Sequence, residues 1–382
     1  MKFAHLGDCH LGGWRHPELS DLNFRSFQKA LEKCLDEQVD FILIAGDLFD
    51  SAYPSIDVIK ETFNEFRKIK EANIPVFLIA GSHDYSVSGK TFLDVLEKAG
   101  FVKNVFKAEE RDGQIILQPT IYKNVAIYGY PGRKSGLEVQ DIERISIQDS
   151  PGLFRILMLH TTLRDAIGTL PIPAVNPENL PKVDYVALAH LHLKYEKENR
   201  VYCGPTFPNN AAELEDLKGG SFYIVNTSGK IERHEIHLKE VLKLDIEINN
   251  SLIGTEKIIK ELDKEDLKDK ILILKLKGIL ESGKISDIDF KKIEIYLREK
   301  EVYTFLKNTT KLQTTEPEIK IEVQSEDIEK EIFSKFKEEN PHKFNELIPQ
   351  LFSILQMEKK EDEKSKVFEE RLGSEFQKVI ET

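Results

Sequence analysis

Asp8-Cys9-His10, Gly46-Asp47-Leu48-Phe49-Asp50 and Gly81-Ser82-His83-Asp84 are short clusters of carboxylates and imidazoles, each placed directly after an apolar run. Two later sites follow the same rule: His160 closes the run RILMLH, and His190-Leu191-His192 closes YVALAH. Mixed carboxylate and imidazole donors suit manganese, iron or zinc, whereas magnesium and calcium prefer shells of oxygen. Asp8 and His10 are two residues apart, as are His190 and His192. On a strand that spacing puts both side chains on one face, and in a loop just past it both still reach a shared ion. One carboxylate, best Asp47, could bridge two metals roughly 3.5–4 Å apart; such a pair activates a water and steadies the departing oxygen of a phosphoester.

Each cluster needs an element to deliver it. Short β-rich runs stand at residues 2–6, 41–45, 76–80, 125–128, 155–159 and 185–189, with helical patterns over 22–35, 56–71 and 91–99 between the early ones. The second helix opens with Pro54-Ser55 and carries acidic Asp57 in its first turn, a good start signal. Runs such as FILIA and VFLIA are nearly continuous in apolar residues, as strands of sheets covered on both faces are. In α/β sheets ligands bind at the carboxyl ends of the strands, so the clusters are expected to converge on one edge. Glycine just ahead of Asp8, Asp47 and Ser82 lets the chain turn sharply there.

The chain has 382 residues, enough for two or three domains. Lys+Arg is 54 and Asp+Glu is 66, a formal charge of −12 that excludes a wholly basic nucleic-acid coat and leaves a local basic groove open. No apolar stretch approaches the roughly 18 residues of a membrane-spanning helix. The opening MKFAHLGDCH does not read as a signal peptide, and Cys9, Cys34 and Cys203 share no C-x-x-C spacing. A cytosolic protein is expected. Nine of the ten histidines lie at or before residue 237, which marks residues 1–240 as the chemical part. Residues 241–310 read as a small α/β unit, 311–325 as a polar linker containing Pro317, and 326–382 as a helical tail. In that tail Phe344, Leu347, Ile348, Leu351, Phe352 and Leu355 form one stripe; Ile328, Ile332 and Phe336 form another, and Phe368, Leu372, Phe376 and Val379 a third. Apolar stripes of that size mark partner surfaces.

The ordered set D-x-H, G-D-x-x-D, G-N-H-D/E, H and G-H-x-H is the pattern of calcineurin-like metallophosphoesterases, and residues 1–240 resemble that superfamily. More narrowly, GDCHLG, GDLFD with its Pro/Ser turn, the small unit after 240 and the helical tail look like the SbcD type. These are the meiotic-recombination-eleven nucleases of double-strand-break repair, here in archaeal form. The resemblance implies an α/β fold: a two-sheet sandwich with helices outside, a small α/β capping domain and a C-terminal helical tail. It implies two manganese ions, with Asp8, His10, Asp47 and His192 around one, and Asp47, His160, His190 and position 82 around the other. His83 matches the histidine that contacts the scissile phosphate and helps the leaving group depart.

The same resemblance implies a 3′-to-5′ exonuclease on duplex DNA ends with endonuclease action on single strands and hairpins. It implies a homodimer with DNA across both subunits, and a coiled-coil ABC-type ATPase (SbcC-like) gripping the C-terminal helices. The expected location is the cytoplasm, associated with the nucleoid. Two departures stand out: Ser82 replaces the family's asparagine, and Ala189 replaces the glycine of G-H-x-H. A serine hydroxyl is shorter than an asparagine carbonyl and a weaker ligand. Two other functions therefore stay open: a weakened DNA-end-binding scaffold of the same complex, and a small-molecule metallophosphatase, which would not need the chain after 240.

Asp50 and Asp84 read either as carboxylates orienting a histidine from behind or as cap or turn residues. Trp14 and Arg15 follow the first cluster, where Arg could meet phosphate and the indole could stack on a base, or the Trp could simply pack. Tyr53 and Lys90 stand on the loops after the second and third clusters as weaker DNA-contact candidates. His5, mid-strand, reads as structural, and His16, His234, His237 and His342 as surface or packing residues.

Overall fold

The computed structural model describes residues 1–86, 89, 91–133, 136–314, 347–355, 357 and 365–380. It comprises two units, Met1–Thr314 and Thr315–Thr382. The first is built around two six-stranded sheets. In one, Lys2–Leu6, Phe41–Ile44, Val76–Leu78 and Lys103–Asn104 run parallel, and Gly220–Asn226 and Ile231–Ile236 complete it antiparallel on the far side of Lys2–Leu6. In the other, Arg200–Tyr202, Tyr185–Ala189, Phe154–His160 and Val125–Tyr130 run parallel between antiparallel edges at Tyr195–Lys197 and Thr120–Tyr122.

Strand alternation divides the side chains between layers. Phe3, Phe41, Leu43 and Phe77 of the first sheet meet Val125, Ile127, Ile156, Met158 and Tyr185 of the second in the space between them. Their neighbours Ala4, Leu6, Ile42, Ile44 and Leu78 point the other way, onto Phe27, Leu31, Phe66 and Ile69 of the helices Pro17–Asp36 and Ile56–Glu71. The outer face of the second sheet is covered by Val139, Ile142, Leu163 and Val175, and by a small sheet of Ala108–Arg111, Gln114–Leu117 and Ile145–Ile147. Both sheets are thus buried on both faces, as their apolar runs require. The α/β two-sheet sandwich with helices outside is the fold.

The first helix begins at Pro17, five residues before its periodic pattern does. Proline at the first helical position is pre-set for the turn. Leu19 and Leu22 are buried there against Phe207, Leu214, Val241, Ile271 and Ile273, partners too distant in sequence to give a local signal. Those last three belong to a three-stranded parallel sheet of Val241–Glu247, Ile271–Leu280 and Thr304–Thr314, with Gly254–Leu262 and Phe290–Glu299 as its crossover helices. Its own core is Ile246, Ile258, Leu272, Leu274, Ile293 and Leu297. Glu215, on the helix Ala211–Leu217, is bridged by Lys243 at 2.6 Å and also by Lys275, tying that sheet to the sandwich.

The third strand runs to Thr314, past the point at which the polar residues read as linker. Ile271–Leu280 is ten residues long and pairs Gly278 with Leu312, which is buried. A long partner strand, absent from the local pattern, keeps 311–314 extended. The rest of the expected linker, and the stripe of Ile328, Ile332 and Phe336 with Phe344, lie outside the described residues. In the second unit, Ile348–Leu355 and Ser365–Ile380 are helices that pack on each other. Phe368, Leu372, Phe376 and Val379 are half-buried along the longer one. Among the described residues no helix is long and apolar enough to cross a membrane.

Candidate metal centre

Three strand ends of one sheet and two of the other meet at the same end of the sandwich, so the clusters converge from both sheets rather than along one edge. The turns that deliver them are tight. Asp8, His10 and Asp47 have φ of 48°, 44° and 50°, and His190 has φ of 98°. Non-glycine residues adopt such conformations rarely, and where they do the surrounding structure holds them. Here the His190 N–H donates to both Asp8 carboxylate oxygens at 3.0 Å, and the His83 N–H donates to Asp47 Oδ1 at 2.8 Å. Gly46, at φ 102°, passes so close to His160 that a Cβ would lie 2.4 Å from its Nδ1. Ala189, where the family has glycine, keeps its Cβ buried in the core between the sheets, opposite Gly7.

The donor atoms form overlapping groups: Asp8, His10 and His192; Asp8, Asp47 and His160; and His10, Asp50 and His83. Asp47 Oδ2 lies 3.8 Å from His10 Nε2 and 3.2 Å from His160 Nε2, between the first two groups. Asp8 Oδ1 lies 3.9 Å from both His160 Nδ1 and His192 Nε2. His190 stands against His160, ring centroids 5.0 Å apart, and Ser82 Oγ donates to Asp47 Oδ2 at 3.4 Å.

Three of the imidazoles are held by an outer nitrogen. His10 Nδ1 meets Asp50 Oδ1 at 3.1 Å, His192 Nδ1 meets Glu213 Oε2 at 2.9 Å, and His160 Nδ1 donates to the Ala45 carbonyl at 3.0 Å. Their Nε2 atoms are left facing inward, those of His10 and His192 only 3.1 Å apart. His160 Nε2 is buried, with Asp47 Oδ2 3.2 Å away but no hydrogen bond of proper geometry among the described residues. Carboxylate- or carbonyl-anchored imidazoles with inward lone pairs are how proteins hold metal ligands. The residues present therefore fit a pair of ions.

The charges point the same way. Asp8 and Asp47 are both buried, and two carboxylates taken out of water side by side need positive charge among them. Burial pushes Asp47 up, but His160 beside it holds its carboxyl well below the ordinary range. Burial lowers His160, yet the charge of Asp47 and then of Asp8 lifts it to about 9. Burial and the charge of His160 lower His190 to about 4. His192 is raised by Asp8 and Glu213 against its own desolvation.

Asp50 and Asp84 separate into different roles. Asp50 orients His10, and its backbone carbonyl accepts from His83 Nδ1 at 2.9 Å. Among the described residues Asp84 makes no hydrogen bond to a histidine side chain; its oxygens accept from the Gly81 and Phe49 N–H groups at 2.9 and 3.1 Å, locking two loops together. Burial, with Asp47 nearby, pushes Asp84 up to about 6. His83, in the donor group with His10 and Asp50, keeps 45% of its side chain exposed.

Trp14 packs, its indole N–H donating to the Pro208 carbonyl at 2.8 Å and its ring lying against the cluster that joins the first helix to Val241, Ile271 and Ile273. Arg15 is exposed, and Tyr53 is 70% exposed. Lys90 lies outside the described residues. His5 is buried in the sandwich, its Nδ1 2.9 Å from the Tyr185 hydroxyl.

Several positioning residues carried no sequence signal. Glu213 orients His192, and Asn209 binds both Glu213 and Asp50, its N–H at 2.9 Å and its amide at 3.1 Å. Asn23, buried in the first helix, holds the Cys9 carbonyl at 2.9 Å. Asn210 capping a helix with Glu213 in its first turn is a recognisable start, but nothing in it points to His192. Beside the donors a cleft of about 570 Å³ is lined by Ser82, His83, Arg133, Glu138, Thr162 and His190.

Residues 1–194 match the calcineurin-like phosphoesterase family. The chain belongs to that family. Metallophosphoesterases of this family hold two metal ions, and the donor groups found here are the candidate ligands for both. The chain is also similar to three archaeal proteins named DNA double-strand break repair protein Mre11. That of Methanosarcina mazei is 30% identical over 78% of this chain and 48% of its own length. The Methanosarcina acetivorans protein is 28% identical over 83% of this chain and 52% of its own. The Archaeoglobus fulgidus protein is 25% identical over 77% of this chain and 72% of its own. The chain spans about half the length of the two Methanosarcina relatives. All three likenesses extend beyond the family match at residue 194.

Proposed function

We propose that this calcineurin-like phosphoesterase is a manganese-dependent DNA nuclease that trims double-strand-break ends 3′ to 5′ and cuts single strands. It works as a homodimer, with a coiled-coil ABC-type ATPase docked on its C-terminal helices. The observation that carries the reading is the convergence of three inward Nε2 atoms, from His10, His160 and His192, on the buried carboxylates Asp8 and Asp47. Asp8, His10, Asp47 and His192 would hold one ion; Asp47, His160 and His190, with Ser82 beside them, would hold the other. Bound there, the two ions supply a nucleophile at neutral pH and balance charge on the phosphoryl oxygens.

The chain's own residues do the rest. His83 is fixed by the bond from its Nδ1 to the Asp50 carbonyl, which requires a proton on Nδ1. Its Nε2 is thus the atom that exchanges a proton with substrate, donating to a phosphate or departing 3′ oxygen when the ring is charged. Asp50, Glu213 and the Ala45 carbonyl fix the ligand rings. The sheet of residues 241–314, seated on the first helix, shapes access for a long polymer, and similarity to the Mre11 relatives over that stretch supports a DNA substrate over a small phosphoester.

Ser82 favours a second reading, a weakened scaffold that grips ends for its ATPase. The test is manganese-dependent degradation of an end-labelled blunt duplex by the parent and by Ser82→Asn. Cleavage by both, faster in the variant, is expected. Cleavage by Ser82→Asn alone supports the scaffold. No cleavage by either, with manganese bound, overturns the nuclease reading.

A further inference from the structure

The chain from Thr162 to Val175 makes a loop just after the candidate ligand His160, and it is braced from neck to tip. The neck is closed by backbone pairs: the Arg164 N–H donates to the Val175 carbonyl and the Val175 N–H to the Thr162 carbonyl, both at 2.9 Å. Leu163 and Val175 are fully buried and anchor it. At the tip the Ile172 N–H donates to the Leu170 carbonyl at 2.9 Å. The Arg164 guanidinium donates to the Leu170 and Ile172 carbonyls at 3.0 and 2.8 Å. Pro171 and Pro173 flank Ile172 and restrict its backbone further.

What this brace holds in place is apolar and exposed: Leu170 is 56% and Ile172 44% accessible. A single exposed apolar side chain needs no explanation, but two within three residues on a fixed turn forgo burial that a collapsed loop would gain. Ile172 and Pro173 line the cleft together with Ser82, His83 and His190. Among the described residues Ile172 is the one large apolar side chain that is both exposed and on that cleft. A phosphoester seated against His83 therefore presents to Ile172 the group that adjoins its phosphate. On the nuclease reading above, that group is a nucleoside whose base has an apolar face. A duplex end keeps its terminal base stacked and paired, and apolar side chains inserted at base steps are how proteins part them.

We propose that Ile172, with Leu170 beside it on the same turn, is a wedge that stacks against the terminal base of a duplex and parts it from its pair, so that the strand enters the cleft single. The proposal rests on the nuclease reading and adds to it the device that opens the end. Arg164 is a positioning residue, acting through the turn it holds.

The test compares two substrates of one sequence, a blunt duplex and the same duplex with its last few base pairs mismatched, both offered to the full chain with manganese. Ile172→Ala combined with Leu170→Ala should slow cleavage of the blunt end about 10- to 100-fold, the scale of one unstacked base step. The mismatched end, which needs no opening, should be slowed far less, a rescue that a folding defect would not show. A second readout does not depend on cleavage. With 2-aminopurine as the 3′-terminal base, fluorescence should rise when the duplex binds the His83→Ala chain, and stay low when Ile172→Ala and Leu170→Ala are added. Equal slowing on both substrates overturns the proposal. So does no slowing on either, the result expected if the two side chains serve as a contact for another protein. A parent that cleaves neither DNA yet hydrolyses bis(4-nitrophenyl) phosphate would sink the nuclease reading, and the wedge with it.

Discussion

His10 and His192 face each other with their Nε2 atoms 3.1 Å apart, and each ring is pinned from behind, by Asp50 and by Glu213. When both outer nitrogens carry the hydrogens they share with carboxylates, two lone pairs point at one another. A cation between the rings turns that repulsion into attraction. Divalent manganese is expected to raise the melting temperature by a few degrees, since a ligand at a hundred times its dissociation constant adds about 2.7 kcal/mol. A chelator should reverse the rise, and Asp47→Ala should abolish it. A melting temperature indifferent to manganese would contradict the assignment.

Glu213 offers a test of orientation apart from ligation. It touches His192 and the Asn209 N–H and lies outside the clusters of donor atoms. Glu213→Gln removes the charge behind His192 and should lower metal affinity about 10- to 100-fold, as losses behind a ligand do. Calorimetric titration reads this directly. Unchanged affinity would mean that His192 is not held for a metal.

The donor residues were legible because strand ends are legible: an apolar run followed by Gly-Asp or by His marks both the element and its exit. Asp8, His10, Asp47, His160, His190 and His192 all sit at such exits. Glu213 and Asn209 were not, because they reach the site from a loop and helix whose only sequence signal is a cap. Glu138, in the run GLEVQ, is buried with no local pattern that encodes it. The early start of the first helix was hidden for the same reason, since Leu19 and Leu22 are buried by residues more than 180 positions away.

His83 should separate chemistry from binding. Its side chain is 45% exposed, and its ring meets the Asp50 carbonyl, Asp50 Oδ1 at 3.6 Å and the edge of His10, with centroids 4.8 Å apart. His83→Ala is expected to leave the melting temperature and manganese stoichiometry unchanged. The rate of phosphodiester cleavage should fall about 10²- to 10⁴-fold, the range for loss of a general acid. Retained activity at saturating manganese would remove His83 from the reaction.

His5 provides a pH test of the sandwich itself. Burial between the sheets lowers its pKa from 6.5 to about 3, so the folded chain holds it neutral while the unfolded chain protonates it near 6.5. Between those values the unfolded state binds the extra proton, and stability falls as pH drops, by up to about 1.4 kcal/mol per unit. Above 6.5 the group contributes no pH dependence. His5→Asn keeps a side-chain partner for the Tyr185 hydroxyl and cannot titrate. Denaturant melts at pH 7 and pH 5 should show the parent losing about 2 kcal/mol more than the variant over that interval. The metal-ligand histidines titrate in both proteins and cancel in the difference. Equal losses would mean that His5 is protonated in the folded chain and that the sheets part to admit water.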